Sequence, residues 1–276
     1  MVIVFDVNGT LLDTEALAPT LRSIFGSKYT VREWFTELIQ YTMATTLSGD
    51  YREFGDVAIS VLKMAAAARH VTVSGRAIEE IRKGMRHLPP FPDVKTSLRR
   101  LQERGFRLAA LSNSGPAALD EQLRTAGLSR FFEPVISVDS VQRFKPAVEP
   151  YQAAARALGV STSDILMVAA HPWDLMGASR AGCRTAFLSR PGRSLYPGAS
   201  KPHYAARDLA ALANQLAGNT RSWVGTLSVA GMAVAGAWFG AVALRRINYP
   251  REASARPRPS DASSARMPRP HSVLPA

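Results

Sequence analysis

At 276 residues with 46% hydrophobic content, the chain is long enough for one domain with an inserted subdomain, or for two small domains. Cys183 is the single cysteine, which excludes a disulfide framework within the chain, fits a reducing compartment and reads as a small core residue. The formal net charge is +12, of which residues 245–276 carry +5; no aromatic-interleaved basic stripe or nucleic-acid motif accompanies it, so the charge points to a membrane surface rather than to DNA or RNA.

The first element is an apolar run, Val2, Ile3, Val4 and Phe5. It has the composition of a parallel strand covered on both faces. No basic n-region or cleavable apolar region precedes it, so no secretory signal is expected. Asp6 follows at the carboxyl end of the strand, where open α/β sheets place ligands. Gly9 offers a permissive turn position, and Thr10 a hydroxyl. From these residues alone, Asp6 serves equally as a helix cap.

Residues 14–90 predict an inserted helical cap. Helical patterns cover 15–25, 30–46 and 51–70. The second is expected to present Trp34, Leu38 and Tyr41 on one face, and the third to turn Phe54, Val57, Val61 and Leu62 inward. Ser74 is a predicted N-cap for a helix over 76–85. Residues 88–92 (LPPFP) form a Pro-rich hinge into the core. Strands are then predicted at 106–111, 132–137, 165–169 and 184–188, alternating with helices over 93–104, 116–127, 149–158 and 175–181. That alternation implies a doubly wound parallel sheet with right-handed crossovers.

Beyond Asn219, residues 223–244 run for 22 positions without a charge. As a helix they would span about 33 Å, against about 30 Å for a bilayer core. Arg245 and Arg246 end the run, and Gly236 and Gly240 stand in GxxxG spacing. The segment is expected to be a hydrophobic helix serving as a membrane anchor, followed by a basic disordered tail over 245–276. The positive-inside rule places that tail in the cytoplasm, which conflicts with a single span when the catalytic part is cytoplasmic too. A buried or interfacial helix therefore stays open.

The motif DxxGTLxD after an apolar strand, here VFDVNGTLLD, resembles motif I of the haloacid dehalogenase (HAD) superfamily, most closely its type II, L-2-haloacid dehalogenase branch. The resemblance covers roughly residues 1–215 and continues in LSNSG, RFKP and AAHPWD. It implies a HAD-like, Rossmannoid core over 1–13 and 91–215, with the cap at 14–90. It also implies hydrolysis of the carbon–halogen bond of a small 2-haloacid through an ester on Asp6, without metal or other cofactor. Thr10 would orient Asp6, and Ser112 would hold a carboxylate of the substrate or of the nucleophile, with Asn113 a catalytic residue of the same motif. Lys145 would keep Asp6 ionised, Tyr151 would support that network, and Asp174 would position or activate the hydrolytic water. The expected substrate-binding residues are Asn8, Phe35, Tyr151, His171 and Trp173. A homodimer is kept open as an assembly, and no nucleic-acid partner is expected.

Several positions depart from the family pattern. Asn8 stands where HAD phosphatases carry a second Asp, and an amide cannot protonate a leaving alcohol. The acidic pair that holds Mg²⁺ in those phosphatases is reduced to Asp174, so the oxygen-ligand count for Mg²⁺ is poor. His171 and Asp174 do not have zinc-site spacing. The cap arginine of the dehalogenases is replaced by Phe35, with Arg32 about a turn away, and motif IV has Ala169 and His171 in place of Ser and Asn. Two rival readings therefore stand beside the dehalogenase: a Mg²⁺-dependent phosphatase, and a membrane-tethered binding protein without catalysis.

Overall fold

The computed structural model of the protein describes residues 1–218. Its strands are β1 Val2–Phe5, β2 Arg107–Ser112, β3 Val135–Ser137, β4 Ile165–Ala169, β5 Arg184–Leu188 and β6 Tyr204–Ala206. Among the described residues they form one six-stranded sheet, all parallel, in the order β3-β2-β1-β4-β5-β6. β1 is central because it is apolar throughout: none of its four side chains is more than 3% exposed. Each such side chain contributes roughly 1.5–3 kcal/mol when withdrawn from water.

The chain leaves β1 toward β2 on one side and returns through β4 on the other. The strand order reverses between β1 and β4, so a crevice opens outside their carboxyl ends. Four helices lie between β1 and the next core helix: α1 Ala18–Phe25, α2 Val31–Ser48, α3 Phe54–Ala68 and α4 Gly75–Arg86. Thr30 and Glu33 make a reciprocal capping box at the start of α2. Trp34, Phe35, Leu38 and Ile39 are buried, and the Trp34 indole donates to the Ala58 carbonyl of α3. Tyr41 is a correction: it is 40% exposed, and the buried face runs through Thr42 instead.

Entry to and exit from this insert are stitched together. Asp13 N–H donates to Pro89 O at 2.8 Å, and Phe91 N–H to Leu11 O at 3.0 Å. The insert also touches the sheet end of the molecule. Phe144 N–H donates to Thr46 Oγ1, Gly115 N–H to Glu53 Oε1, and the Tyr51 hydroxyl to Asp139.

The remaining helices are α5 Val94–Glu103, α6 Pro116–Thr125, α7 Val148–Leu158, α8 Pro172–Arg180 and α9 over residues 209–218. In the core, two predicted boundaries shift by three residues, and one stretch gains elements that were not predicted. β3 starts at Val135 rather than 132 because Pro134 has no N–H to give to a ladder. α8 starts at Pro172 rather than 175, since proline suits a first helical turn, and this carries Asp174 onto the helix. β6 and α9 lie in a stretch for which no element was predicted; a three-residue strand is too short to show periodicity. Cys183 is buried, and burial together with the charge of Asp174 pushes its thiol up to about 12.

The expected hydrophobic helix at 223–244 and basic tail at 245–276 lie outside the described residues. Among the described residues no helix is long and apolar enough to cross a membrane.

Candidate active site

Asp6 stands one residue past β1, where its N–H still donates to Val168 O of β4 at 3.0 Å. Its side chain is held from three directions. Thr10 Oγ1 donates to Oδ2 at 2.6 Å, His171 Nδ1 lies 3.0 Å from Oδ2, and Lys145 Nζ donates to Oδ1 at 2.7 Å. An ionised carboxylate only accepts, so His171 Nδ1 is the donor in its contact. Thr10 can serve because its hydroxyl also accepts from Ala170 N–H at 2.9 Å, which ties the motif I turn to the end of β4.

Gly9 makes this turn feasible. Its φ is +75°, and a Cβ there would meet His171 Cε1 at 2.9 Å. A side chain at position 9 would therefore be strained and would drive His171 off Asp6.

Lys145 is fully buried and binds two carboxylates. Besides Asp6 it donates to Asp174 Oδ2 at 2.7 Å and to Leu111 O at 3.1 Å. Burial by itself lowers its pKa, but Asp174 and then Asp6 overcome that and raise it above the usual lysine value. Burial also pushes the Asp6 carboxyl up. The charge of Lys145 and the hydrogen bond from His171 outweigh this and hold it well below the usual carboxylate range. Asp174 is the reverse case. Burial, with the charge of Asp6 added, outweighs Lys145, and its carboxyl is raised.

Tyr151 explains how Asp174 stays placed. Its hydroxyl donates to Asp174 Oδ1 at 2.7 Å and lies 2.9 Å from Asp174 O. Gly177, one turn along α8, has no room for a Cβ: it would stand 2.7 Å from Pro146 Cα. That close approach brings α8 against the Lys145 loop. Asn113 Oδ1 accepts from Lys145 N–H at 3.1 Å and fixes the same loop from β2.

A small cavity lies against Asp6. It is lined by Asp6, Asn8, Phe35, Ile39, Phe54, Ser112, Asn113, His171 and Trp173, and encloses about 10 Å³, room for about one water. The His171 ring stacks with Phe35 at 5.6 Å and with Trp173 at 5.1 Å between centroids. Asn8 Nδ2 donates to Ser114 Oγ at 2.9 Å, and Ser112 Oγ accepts from Ser114 N–H at 3.1 Å. Asn8 Oδ1, Asn113 Nδ2 and His171 Nε2 are buried without a protein partner. Buried polar atoms of that kind call for an explanation, and a polar ligand supplies one.

The structure thus brings together the candidate catalytic and substrate-binding residues named from the sequence, with a division of places. Asn8, Phe35, Ser112, Asn113, His171 and Trp173 reach the cavity beside Asp6. Tyr151, expected to bind substrate, does not reach it; it stands behind Asp174. Asp174, expected to meet the hydrolytic water, does not reach it either, because Lys145 and Tyr151 occupy both of its oxygens.

Three residues were missed. Ile39 and Phe54 line the cavity from α2 and α3, and only Phe54 was read as inward-facing. Arg190, 6% exposed, donates from Nε to Thr10 O at 2.9 Å and from Nη1 to Asp93 Oδ1 at 2.8 Å, locking the motif I turn from behind. It follows β5 with no local pattern to mark it.

The donor set does not suit a divalent cation. The carboxylates facing one another here, Asp6 and Asp174, already share an ammonium at hydrogen-bond distance. A second cation among them would be a like charge at close range, short of oxygen ligands.

Comparison with known proteins gives a consistent picture. The chain matches the family model of haloacid dehalogenase-like hydrolases over residues 1–182. It is 32% identical over 194 residues to an (S)-2-haloacid dehalogenase of Pseudomonas sp. (strain YL), covering 69% of this chain and 83% of that one. It is 30% identical to haloacetate dehalogenase H-2 of Moraxella sp. (strain B), covering 69% and 86%. The crystal structure of an L-2-haloacid dehalogenase, 31% identical, superposes with a TM-score of 0.74 over 78% of this chain and 98% of that one.

Proposed function

Because the chain belongs to the haloacid dehalogenase-like hydrolases, we propose that it hydrolyses the carbon–halogen bond of a small 2-haloacid through an ester on Asp6. The observation that carries this is the Lys145 ammonium 2.7 Å from a buried Asp6 carboxylate. It keeps an ionised nucleophile at the wall of a buried, water-sized cavity, where withdrawal from bulk water makes a carboxylate reactive.

In the first step an Asp6 oxygen attacks C2, the C–O bond forms, and the halide leaves with the bonding pair. No general acid is required, which fits Asn8 beside the nucleophile. In the second step water adds to Cγ of the ester. The Cγ–O bond to the former substrate breaks, and the 2-hydroxy acid departs with a proton, inverted at C2. His171 is the titratable side chain beside Asp6 that lines the cavity, so it takes the proton from that water. Thr10, Asn113, Tyr151 and Asp174 act through Asp6 and Lys145 as positioning residues. The cap over 14–90 excludes bulk water, and Phe35, Ile39 and Phe54 give it an apolar ceiling.

The phosphatase reading loses support from the same geometry, since the Asn8 amide donates to Ser114 and cannot act as an acid. The anchor reading of 223–244, a cytoplasmic catalytic part and a homodimer rest on hydropathy, charge and resemblance. Sedimentation of the full chain with and without vesicles tests them.

The test of function is halide release by the full chain from 2-chloropropionate and chloroacetate, with and without chelator, beside phosphate release from p-nitrophenyl phosphate. Chelator-insensitive halide release is expected. Chelator-sensitive phosphate release without halide would replace this reading with the phosphatase.

A further inference from the structure

The cavity beside Asp6 has a larger neighbour. At the seam between the cap and the core, a cavity of about 190 Å³ is walled by Phe54, Met85, Pro116, Ala117 and Ala118. The charged side chains at its rim are already paired. Arg82 meets Asp56 at 3.0 Å, Arg86 meets Glu121 at 3.8 Å, and Glu53 accepts from two backbone N–H groups. What the seam cavity offers an occupant is therefore mainly apolar surface, the surface that an alkyl chain seeks.

The two cavities adjoin. In the loop after β2, Ser112 and Asn113 line the Asp6 cavity, and the next two residues, Ser114 and Gly115, line the seam cavity. Of all the residues that line the two, Phe54 alone is common to both. It is 2% exposed, and its ring centroid lies 6.1 Å from that of Phe144. Glu53, the N-cap of α3, holds it there. Glu53 Oε2 accepts from Gly55 N–H at 2.7 Å and Oε1 from Gly115 N–H at 3.2 Å, so one carboxylate ties the start of α3 to the start of α6. Phe54 is thus a pinned partition between a cavity with room for about one water and a much larger free volume on its far side.

We propose that Phe54 determines the chain length of the substrate. It closes the Asp6 cavity against the seam cavity, which would otherwise receive the alkyl chain on C2 of a longer 2-haloacid. Packed side chains do not yield continuously, so a buried phenyl at this place rejects a chain that a shorter side chain would let pass. The assignment rests on the 2-haloacid reading for its reaction, and the binding arm of its test is separable from that reading.

The test pairs turnover with binding in the full chain. By kcat/KM the wild type should prefer 2-chloropropionate to 2-chlorooctanoate about tenfold or more, and F54A should lower that preference about tenfold or more, mainly through KM for the longer acid. Octanoate, which has the chain and no leaving group, should gain affinity for F54A relative to propionate by a similar factor. Removal of a phenyl makes room of its own, so a second substitution decides whether the seam cavity is used. A118F, which fills that cavity from α6, should cancel the octanoate gain in F54A and leave the wild-type preference unchanged. A wild-type preference under about twofold overturns the proposal. So does an unchanged preference in F54A, an octanoate gain that survives A118F, or a wild-type preference that A118F alters. If F54A unfolds, F54L and F54V carry the same comparison. An octanoate gain in F54A that A118F cancels, without halide release by the wild type, leaves the partition standing and removes the dehalogenase reading. Halide release by the wild type with octanoate affinity unmoved in F54A does the reverse.

Discussion

Lys145 Nζ lies midway in a bond chain, 2.7 Å from Asp6 Oδ1 and 2.7 Å from Asp174 Oδ2, with none of the three groups more than 6% exposed. An ammonium there does what a divalent cation does in other carboxylate sites: it neutralises two buried charges. It differs in leaving the other Asp6 oxygen to Thr10 and His171.

Replacing Lys145 with Met removes the shared partner and strands two carboxylates in a dry interior. Breaking a buried pair in this way costs about 3–5 kcal/mol. Urea unfolding should register a loss of that order, and halide release should vanish. A K145M protein as stable as the wild type would show that the burial seen here is not maintained in solution.

The ester on Asp6 predicts where oxygen from solvent goes. In a single turnover in H₂¹⁸O with enzyme in excess, the label should enter the Asp6 carboxylate, not the hydroxy acid. Mass spectrometry of the amino-terminal peptide reads it directly. D6N should lower halide release by about 10³-fold or more. Label appearing in the product in that first turnover would mean that water attacks C2 itself.

His171 separates the two chemical steps. H171N and H171A retain Asp6, Thr10 and Lys145, so alkylation should continue while hydrolysis slows by about 10²-fold or more. The protein should accumulate a stable mass adduct of the acid, with a halide burst of about one equivalent per chain. Slow release without any adduct would place His171 in the first step instead.

The pH dependence follows from the opposite shifts of the two acids. Asp174 is raised by burial and the Asp6 charge, whereas Asp6 is held low by Lys145 and His171. As pH falls, Asp174 protonates before the ordinary aspartate value of 3.8 is reached, and Asp6 stays ionised beyond it. Activity should therefore fall on the acid side above pH 3.8. In that window the folded state binds the Asp174 proton more tightly than the unfolded chain, so this group adds stability as activity declines. Below 3.8 the sign reverses, because the unfolded chain takes up the proton that Asp6 refuses. Thermal unfolding and kcat/KM measured in the same buffers should diverge between the two regimes. In D174N the acid limb should move to lower pH.

Much of this site was legible without coordinates, and the reason is local. A run of four apolar residues followed by Asp6, Gly9 and Thr10 specifies a buried strand and the turn that ends it, since composition and φ demands act over a few residues. The alternation of strands and helices then specifies the parallel sheet, and Asp6, Ser112 and His171 fall at its carboxyl edge because strands of one sense end on one side. What no local pattern carries is the set of contacts closed across long stretches of chain. That Lys145 is a buried ammonium rather than a surface lysine depends on α8 approaching Pro146 over the bare Gly177. That Asp174 is sealed behind Tyr151 while His171 faces the cavity depends on α8 beginning at Pro172. Arg190 and Arg193 stand in a loop of unremarkable composition, and only folding shows one bound to Thr10 O and the other poised over Phe35. A side chain's charge is written in its identity, but whether water, a partner or a substrate answers that charge is decided by what the tertiary fold brings within a few ångströms of it.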